Sequence, residues 1–305
     1  MAISILVLSR LFGVLLLWAL PLTSAWPEIR VTDDAGNPLV LERPAQRIVS
    51  LAPHITELLF AAGAGAAVVG VSEYSDYPVA ADGLPRVSGG NGLDLEAILG
   101  LRPDLVIAWQ SGNPVHQVSR LRQLGLRVFV SEPRHLEDIV TSLERFGRLA
   151  GSPGQAREQA GAFRQRHAGL ARRYAEQDRV SVFYSVWQQP LMTVNGEHLI
   201  SDVIRLCGGR NVFEALPGLA PQIGIEAVLV ADPQAIITGG GREELSELYA
   251  MWAPWPELTA VKDRHLFTVP RDFIVRPTPR VLDGAERLCH LLESVRRKIN
   301  GVRLD

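Results

Sequence analysis

Short apolar runs alternate with amphipathic stretches along most of the chain. In the first half, RIVSLAP, VVGVS, DLVIAW and LRVFVSE have the length and composition of buried strands. Stretches with helical spacing, such as HITELLFAAGAG and LEDIVTSLERFGRLAG, lie between them. VSVFYSV, QAIITGG and HLFTVP continue the alternation in the second half, and a helical pattern closes the chain. Strands that alternate with helices at short spacing predict an α/β fold with mostly parallel sheets covered by helices.

Residues 152–178 interrupt this alternation. The segment has no strand-like run, and its apolar side chains recur at steps of three and four residues behind a Ser-Pro start that resembles a helix cap. This pattern predicts one long helix with a single apolar stripe. We therefore expect an N-terminal α/β lobe at residues 26–151, a rigid interdomain helix at 152–178 and a similar α/β lobe at 179–305. A ligand cleft would lie between the two lobes.

The two lobes share a repeated passage. DLEAILGLRPDLVIA at residues 94–108 matches IEAVLVADPQAII at a constant offset of 130 positions, which aligns Glu96 with Glu226 and Pro103 with Pro233. The repeat indicates that both lobes contain one helix–proline–strand unit with a glutamate near its start. A solvated acid at a helix start is also favoured by the helix dipole alone, so the pattern by itself assigns these glutamates no function.

The first 25 residues differ from the rest of the chain. Arg10 precedes the apolar run LFGVLLLWAL, and Pro21 and the small residues TSA follow it. A basic residue, a short apolar run and a small-residue end predict a signal peptide at residues 1–25 that is cleaved after Ala25. The alternative is a membrane anchor, which the proline and the shortness of the run disfavour. We therefore expect an exported protein.

Composition and motifs argue against several classes of function. The net charge is −2 with no basic block, so nothing indicates nucleic-acid binding. There is no nucleophile elbow, no H-E-x-x-H motif and no P-loop, and the seven histidines lack metal-site spacing. We expect neither an enzyme nor a metal site. Cys207 and Cys289 are a lone pair, which in an oxidising compartment most often forms a disulfide; two buried thiols are the alternative.

Four aromatic side chains follow predicted strands, two in each lobe. Aromatic groups just beyond strand carboxyl ends point into the crevice where open α/β sheets bind ligands. The four are Tyr74 in VSEYSDYP, Trp109 in DLVIAWQSGN, Trp187 in YSVWQQP and Phe273 in VPRDFIV. We expect Trp187 to match Trp109 in position. Together they predict a broad, flat, largely apolar ligand, with Asp272, Arg276 and Gln188 as orienting polar contacts.

These segments together resemble a known family. RIVSLAPHITELLFAAG, VVGVSEYSDYP, LDLEAILGLRPDLVIAW-x-x-GN, RLCGGRNVF and DPQAIITGG are similar to segments of the periplasmic vitamin B12 binding proteins of bacterial ABC importers. The wider class of binding proteins with a rigid interdomain helix also serves haem, siderophores and metal ions. The resemblance covers about residues 45–295. It implies a periplasmic monomer that captures cobalamin or a related corrinoid as a transported ligand, not a cofactor, and delivers it to an importer's permease dimer.

The resemblance also implies which residues contact the ligand. Tyr74 and Trp109 correspond to aromatic side chains of the family that face the corrinoid. The loop that closes over the ligand corresponds to Asp272, Phe273, Ile274, Val275 and Arg276. Two pocket tryptophans of the family are replaced here by Gly90 and Ala220, which removes large aromatic contact area. A haem or ferric-siderophore carrier of the same fold, with Tyr74 as an iron ligand, is therefore the alternative interpretation.

Four further positions carry over from the family. The family disulfide joins the cysteine of a CGG turn to one in the last helix, and these correspond to Cys207 and Cys289. Two surface glutamates of the family, one in each lobe, meet arginines of the membrane permease. They correspond to Glu96 and Glu226, so the resemblance implies that the repeated passage carries the docking residues.

Overall fold

The computed structural model describes residues 28–89 and 92–301. The predicted signal peptide at residues 1–25 therefore lies outside the described residues, and so does Gly90. Within residues 28–89 and 92–301, no helix combines the length and the apolar character that a membrane span requires.

The described chain alternates strands and helices on both sides of one long helix. The elements before that helix are β1 Ile29–Thr32, β2 Pro38–Leu41, β3 Ile48–Ser50, α1 Pro53–Ala61, β4 Val68–Val71, β5 Ser88–Gly89, β6 Gly92–Leu93, α2 Leu95–Gly100, β7 Leu105–Trp109, α3 Val115–Gln123, β8 Val128–Ser131 and α4 Leu136–Ala150. The long helix is α5, Pro153–Tyr174. The elements after it are β9 Val180–Ser185, β10 Trp187–Gln188, β11 Leu191–Met192, α6 Leu199–Leu206, β12 Gly209–Asn211, α7 Ile225–Ala231, β13 Ala235–Gly239, α8 Arg242–Trp252, α9 Thr259–Lys262, β14 Leu266–Val269, α10 Arg271–Ile274 and α11 Val281–Ile299.

Each side of α5 contains one four-stranded sheet, and we call the two halves the N lobe and the C lobe. The strand order is β4-β3-β7-β8 in the N lobe and β12-β9-β13-β14 in the C lobe. All neighbouring strands in both sheets are parallel. In each sheet the first strand along the chain lies between the second and the third, with the fourth at the edge. The predicted α/β fold with two similar, mostly parallel lobes is confirmed.

The repeat in the sequence corresponds to matching elements of the two lobes. β7 and β13 are separated by the same 130 positions at both ends, from 105 to 235 and from 109 to 239. The helices that precede them, α2 and α7, begin 130 positions apart as well, at 95 and 225. Both strands are apolar and buried along most of their length, as expected where helices cover both faces of a parallel sheet.

Helix α5 packs against both lobes. Proline at its first turn fits the helix start, where no intrahelical N–H is needed. The Ser152 hydroxyl does not cap α5 as its position suggested; it donates instead to the carbonyl of Ala62, 2.7 Å away in the N lobe. Gly147 in α4 allows close packing on α5, because a Cβ there would lie 2.2 Å from Cβ of Ala156. The lobe boundaries at 151–152 and 178–179 stay predictions.

The apolar core has three parts among the described residues. The central cluster runs from α1 and α4 of the N lobe through α5 to α6 and α11 of the C lobe. A second cluster fills the outer face of the N-lobe sheet under α2 and α3, and a third fills the outer face of the C-lobe sheet under α7 and α8. Because the central cluster is continuous, the two lobes share one core on the side of α5.

A disulfide joins Cys207, just after α6, to Cys289 in α11. The Cα atoms are 4.6 Å apart, and both residues are fully buried. The bond therefore links the last helix to the first helix of the C lobe and confirms the predicted pairing.

Candidate functional site

The aromatic side chains predicted to face a ligand lie at carboxyl ends of parallel strands. Trp109 ends β7, and Tyr74 follows β4. Trp187 begins the hairpin β10–β11 after β9, and Phe273 lies in α10 after β14. Trp109 is 37% exposed, Trp187 54% and Tyr74 72%, so each has surface to offer a ligand. The expected match between Trp187 and Trp109 is wrong: β7 corresponds to β13, and the position equivalent to Trp109 is Gly239.

The Trp109 indole is placed by the residues that follow it. Asn113 accepts a hydrogen bond from the Trp109 amide at 2.7 Å and donates to the Leu51 carbonyl at 3.0 Å, which closes the turn after β7. The indole lies directly over Gly112, where a Cβ would come within 1.8 Å of Cε3. The W-x-x-G-N pattern therefore has a local cause, since glycine leaves room for the ring and asparagine fixes the backbone.

A buried histidine supports the same indole. The His54 ring, at the start of α1, packs edge-on against Trp109 with ring centroids 5.3 Å apart. Burial, followed by the nearby positive charge of Arg276, lowers the pKa of the His54 imidazole to about 3, so the ring is neutral at ordinary pH. Its Nε2 has no hydrogen-bond partner in the described part of the chain. Sequence reasoning left His54 without a role.

Tyr74 lies in a strained turn. Its φ is 61°, in the left-handed region that costs a non-glycine residue roughly 1–3 kcal/mol unless the surroundings hold it. The next residue, Ser75, is fully buried and shares hydroxyl hydrogen bonds with Thr56 at 3.1 Å and Ser72 at 3.0 Å. Arg86 donates to the Ser75 carbonyl at 2.8 Å. The turn is thus fixed on the N-lobe side, and the Tyr74 ring extends outward.

The side chains of the segment from Asp272 to Arg276 differ in how far they are buried. Phe273 is partly exposed, and its carbonyl approaches α11 so closely that a Cβ at Gly284 would lie 2.4 Å away. Val275 is exposed, whereas Ile274 is 1% exposed and belongs to the central core. Ile274 therefore offers no surface to a ligand, and its assignment to the ligand set is corrected: apolar packing at the end of α10 draws it inward.

Arg276 is engaged by protein groups from both lobes. Its Nη1 donates to Glu57 at 2.9 Å and to Asp76 at 2.7 Å. Its Nη2 donates to the Tyr74 carbonyl at 3.3 Å and lies 3.0 Å from Asp272. The side chain is only 12% exposed. The hydrogen bond from Arg276 lowers the pKa of Asp76, which stays ionised.

Arg280 completes the contact between the lobes. It forms a bidentate pair with Glu57, with Nε 2.9 Å from Oε2 and Nη2 2.5 Å from Oε1. Its guanidinium lies 3.8 Å from the centre of the Tyr77 ring, a cation–π distance. The Glu57 side chain, on α1, is 2% exposed and accepts from both arginines. Sequence reasoning missed Glu57 and Arg280; the signal was a carboxylate inside the apolar helix HITELLF.

The C-lobe side of the site is a cavity of about 590 Å³. Its lining includes Trp187 and the neighbouring amides of Gln188 and Gln189, with carboxylates from the start of α8. The Trp187 Nε1–H donates to the Gln189 carbonyl at 2.8 Å, which fixes the indole on its hairpin. The charged residues of the lining are Glu243, Glu244, Glu247 and Arg271. The cavity therefore combines an aromatic face, amide groups and a net negative charge.

Ala220 is exposed on a segment beside that hairpin. Its neighbours Leu219 and Pro221 accept backbone hydrogen bonds from Asn195 and Thr193, at 3.1 and 3.0 Å. The resemblance places a tryptophan at this position in the family, and the alanine here offers less apolar area than an indole. The other replaced position, Gly90, is outside the described residues.

The two repeated glutamates occupy equivalent places. Glu96 is in the first turn of α2 and Glu226 in the first turn of α7, and both are exposed. Asp94 caps α2 by accepting from the Ala97 amide at 2.9 Å, whereas Gly224 precedes α7 without a side-chain cap. The same surface feature is thus presented once by each lobe.

Within residues 28–89 and 92–301, no three histidine, cysteine or acidic side chains lie close enough together to hold a metal ion.

Two α/β lobes with exposed aromatic side chains at the carboxyl ends of their strands are the arrangement expected of a substrate-binding protein. Residues 48–273 match the family model described as periplasmic binding protein, and the chain belongs to this family. The expectation of a binding protein and not an enzyme is confirmed by this membership.

Several relatives whose names state a ligand are similar to this chain over most of its length. The vitamin B12-binding protein of Vibrio parahaemolyticus is 39% identical over 256 residues, covering 84% of this chain and 92% of the relative. The crystal structure of the periplasmic vitamin B12 binding protein BtuF of Vibrio cholerae is similar with a TM-score of 0.77 and 40% identity, covering 83% of this chain and 99% of that one. The periplasmic haem-binding protein RhuT of Roseiflexus, at 22% identity and a TM-score of 0.72, covers 83% and 99% and shares the fold.

Proposed function

We propose that this chain is an exported binding protein that captures cobalamin or a related corrinoid between its lobes and hands it to an ABC importer. The observation that carries the proposal is the similarity to vitamin B12-binding proteins, 39–40% identical across 84% of this chain. Similarity of this extent covers both lobes and the helix between them.

The chemistry of the site supports a corrinoid. A corrin ring is broad and largely apolar, and its edge carries amide side chains. Exposed indoles at Trp109 and Trp187 supply flat apolar area, one in each lobe. Gln188 and Gln189 beside Trp187 can donate to and accept from amide groups. Binding of this kind needs no acid–base pair.

Charge weighs against the haem alternative. Three carboxylates and one arginine line the C-lobe cavity, and that arginine, Arg271, is already 3.9 Å from Glu244. Haem carries two carboxylates, and anionic siderophores carry several negative charges. Both would meet repulsion at this wall, whereas the amides of a corrinoid would find hydrogen-bond acceptors.

Calorimetric titration of the purified chain, lacking residues 1–25, tests the ligand. We expect cyanocobalamin to bind at micromolar concentration or more tightly, and haemin to bind more weakly. Absence of heat with cyanocobalamin at micromolar protein would refute the proposal. Tight haemin binding, with a shifted absorbance band that Tyr74→Phe removes, would establish the haem alternative.

Delivery is proposed to use the repeated glutamates. Glu96 and Glu226 are exposed at the starts of equivalent helices, so a permease dimer with two basic patches could hold one lobe at each patch. The partner would present basic side chains to these glutamates, and the binding protein would dock as a monomer.

An uptake assay tests docking separately from ligand binding. In cells that carry this chain's own importer, the double variant Glu96→Ala/Glu226→Ala should lose most uptake of radiolabelled cyanocobalamin while keeping its affinity. The control removes two other exposed acids, Glu158→Ala/Glu214→Ala, and should leave uptake unchanged. Equal uptake by the two double variants would refute docking through these glutamates. Light scattering of the purified protein checks the monomer.

We place the mature protein in the periplasm with cleavage after Ala25. The family to which the chain belongs is periplasmic, and the buried disulfide suits an oxidising compartment. N-terminal sequencing of the exported protein should begin at Trp26; a protein that retains residues 1–25 would refute cleavage.

A further inference from the structure

The Tyr74 turn is held from two sides. The N lobe fixes the flanking residues through the Ser75 hydroxyl and through Arg86, which donates to the carbonyls of Ser72 and Ser75. The carbonyl of Tyr74 itself accepts from Arg276, which belongs to the C lobe and lies 202 positions further along the chain. A left-handed residue persists only where its surroundings determine it, so the contact from Arg276 bears directly on the conformation of Tyr74.

Arg276 is not needed to neutralise Glu57. Arg280 already forms a two-bond pair with that carboxylate. The contacts that belong to Arg276 alone are those with the Tyr74 carbonyl and with the carboxylates of Asp76 and Asp272. Two of these three partners, the Tyr74 carbonyl and Asp76, lie in the strained turn of the opposite lobe.

The hydrogen-bond donors of the Arg276 guanidinium are mostly used by other groups of the protein. Nη1 has two carboxylate partners and Nη2 has a carbonyl and a carboxylate, with 12% of the side chain exposed. A planar fork suits several oxygen acceptors at fixed angles. Few donors remain for a ligand, although Arg276 lies on the segment expected to close over one.

We propose that Arg276 is a positioning residue, which reaches across the cleft to hold Tyr74 in its strained conformation before a ligand arrives. The role rests on the proposed function, because it assumes that the Tyr74 ring contacts the ligand. A ring already in place loses less freedom on binding, so Arg276 raises affinity without touching the ligand.

The test uses Arg276→Ala in the full mature protein. The variant should fold, because Glu57 keeps its pair with Arg280; removing Glu57 instead would leave two guanidinium groups without their buried counter-charge. In the absence of ligand, hydrogen exchange at residues 73–76 should be at least about tenfold faster, with the core helices unchanged. The control is Arg166→Ala, an arginine that also pairs with two carboxylates, Asp283 and Glu286, on the side of α5 and α11.

A binding cycle separates positioning from general structure. Arg276→Ala should weaken cyanocobalamin binding about tenfold in the parent chain and less than twofold when Tyr74 is already alanine. Unchanged exchange at residues 73–76, equal loosening in Arg166→Ala, or a tenfold loss that persists in the Tyr74→Ala background would each overturn the role. If the parent chain binds no cyanocobalamin but Arg276→Ala still loosens residues 73–76, the proposed function fails and the positioning contact stands.

Discussion

The Trp109 indole gives the most direct test of the ligand surface. Trp109 is 37% exposed at the end of β7. A tryptophan side chain presents up to about 250 Å², so its exposed part is roughly 90 Å². At about 25 cal/mol per Å², covering that area would contribute about 2.3 kcal/mol. Trp109→Ala should therefore raise the Kd for cyanocobalamin by roughly fiftyfold, at 1.4 kcal/mol for each factor of ten.

The assay is calorimetric titration of parent and variant, with thermal unfolding recorded for both. The indole also packs on His54 and Gly112, so some loss of Tm is expected and must be separated from the loss of affinity. Tyr249→Ala is the matched control, because Tyr249 is 41% exposed on α8 and is not among the side chains expected to face the ligand. If Trp109→Ala binds within threefold of the parent, or if Tyr249→Ala loses as much, the indole does not cover the ligand.

Three other perturbations test the same structure. Gly112→Ala should weaken cyanocobalamin binding in titration without removing any aromatic group, because its Cβ would lie 1.8 Å from the indole and displace it; an unchanged Kd would contradict this. The pKa of His54 is about 3 when folded and about 6.5 when unfolded, so the unfolded chain binds the extra proton between these values and stability falls as pH drops through that window. Urea unfolding should be measured at pH 8 and pH 5 for the parent and for His54→Leu. Between these pH values the free energy of unfolding should fall by about 2 kcal/mol less in His54→Leu than in the parent, and an equal fall in both proteins would contradict this. Cys207→Ser/Cys289→Ser should lower the unfolding free energy by about 4.5 kcal/mol in the chain-entropy model for an 82-residue separation, measured by denaturant titration against the oxidised parent; a loss below 1 kcal/mol would show that packing alone fixes these helices.

The fold was predictable because apolar runs of strand length alternate with amphipathic helices along most of the chain. Strands buried on both faces form continuous apolar runs, and amphipathic helices lie between them, so each lobe could be recognised from local pattern alone. The elements missed were β5–β6, β10–β11, β12, α9 and α10, each of four residues or fewer. A segment that short has no period to detect, and tertiary contacts decide its conformation.

The positions of the candidate site residues were predictable in part for the same reason. Tyr74, Trp109 and Trp187 could be placed at strand ends because loops follow strands in the sequence. The pairing of Arg276 with Glu57 could not, since 219 positions separate them and no local pattern records which arginine meets which acid. Ile274 was misassigned because a run of five loop residues was treated as one surface, whereas the turn of α10 sends one of them into the core.

The repeat is retained at the proposed docking face and lost at the proposed ligand face. Glu96 and Glu226 start equivalent helices, but the strands that follow them end differently, in Trp109 and Gly239. Under the proposed function this difference has a physical reason. A two-fold permease dimer presents the same surface to both lobes, so the same residue serves twice, whereas a corrinoid has two unlike faces and its two walls must differ. Exchanging the ends, with Trp109→Gly and Gly239→Trp together, should therefore abolish binding and not restore it, because Tyr184 Oη lies 3.0 Å from the place of a Cβ at position 239 and leaves no room for an indole.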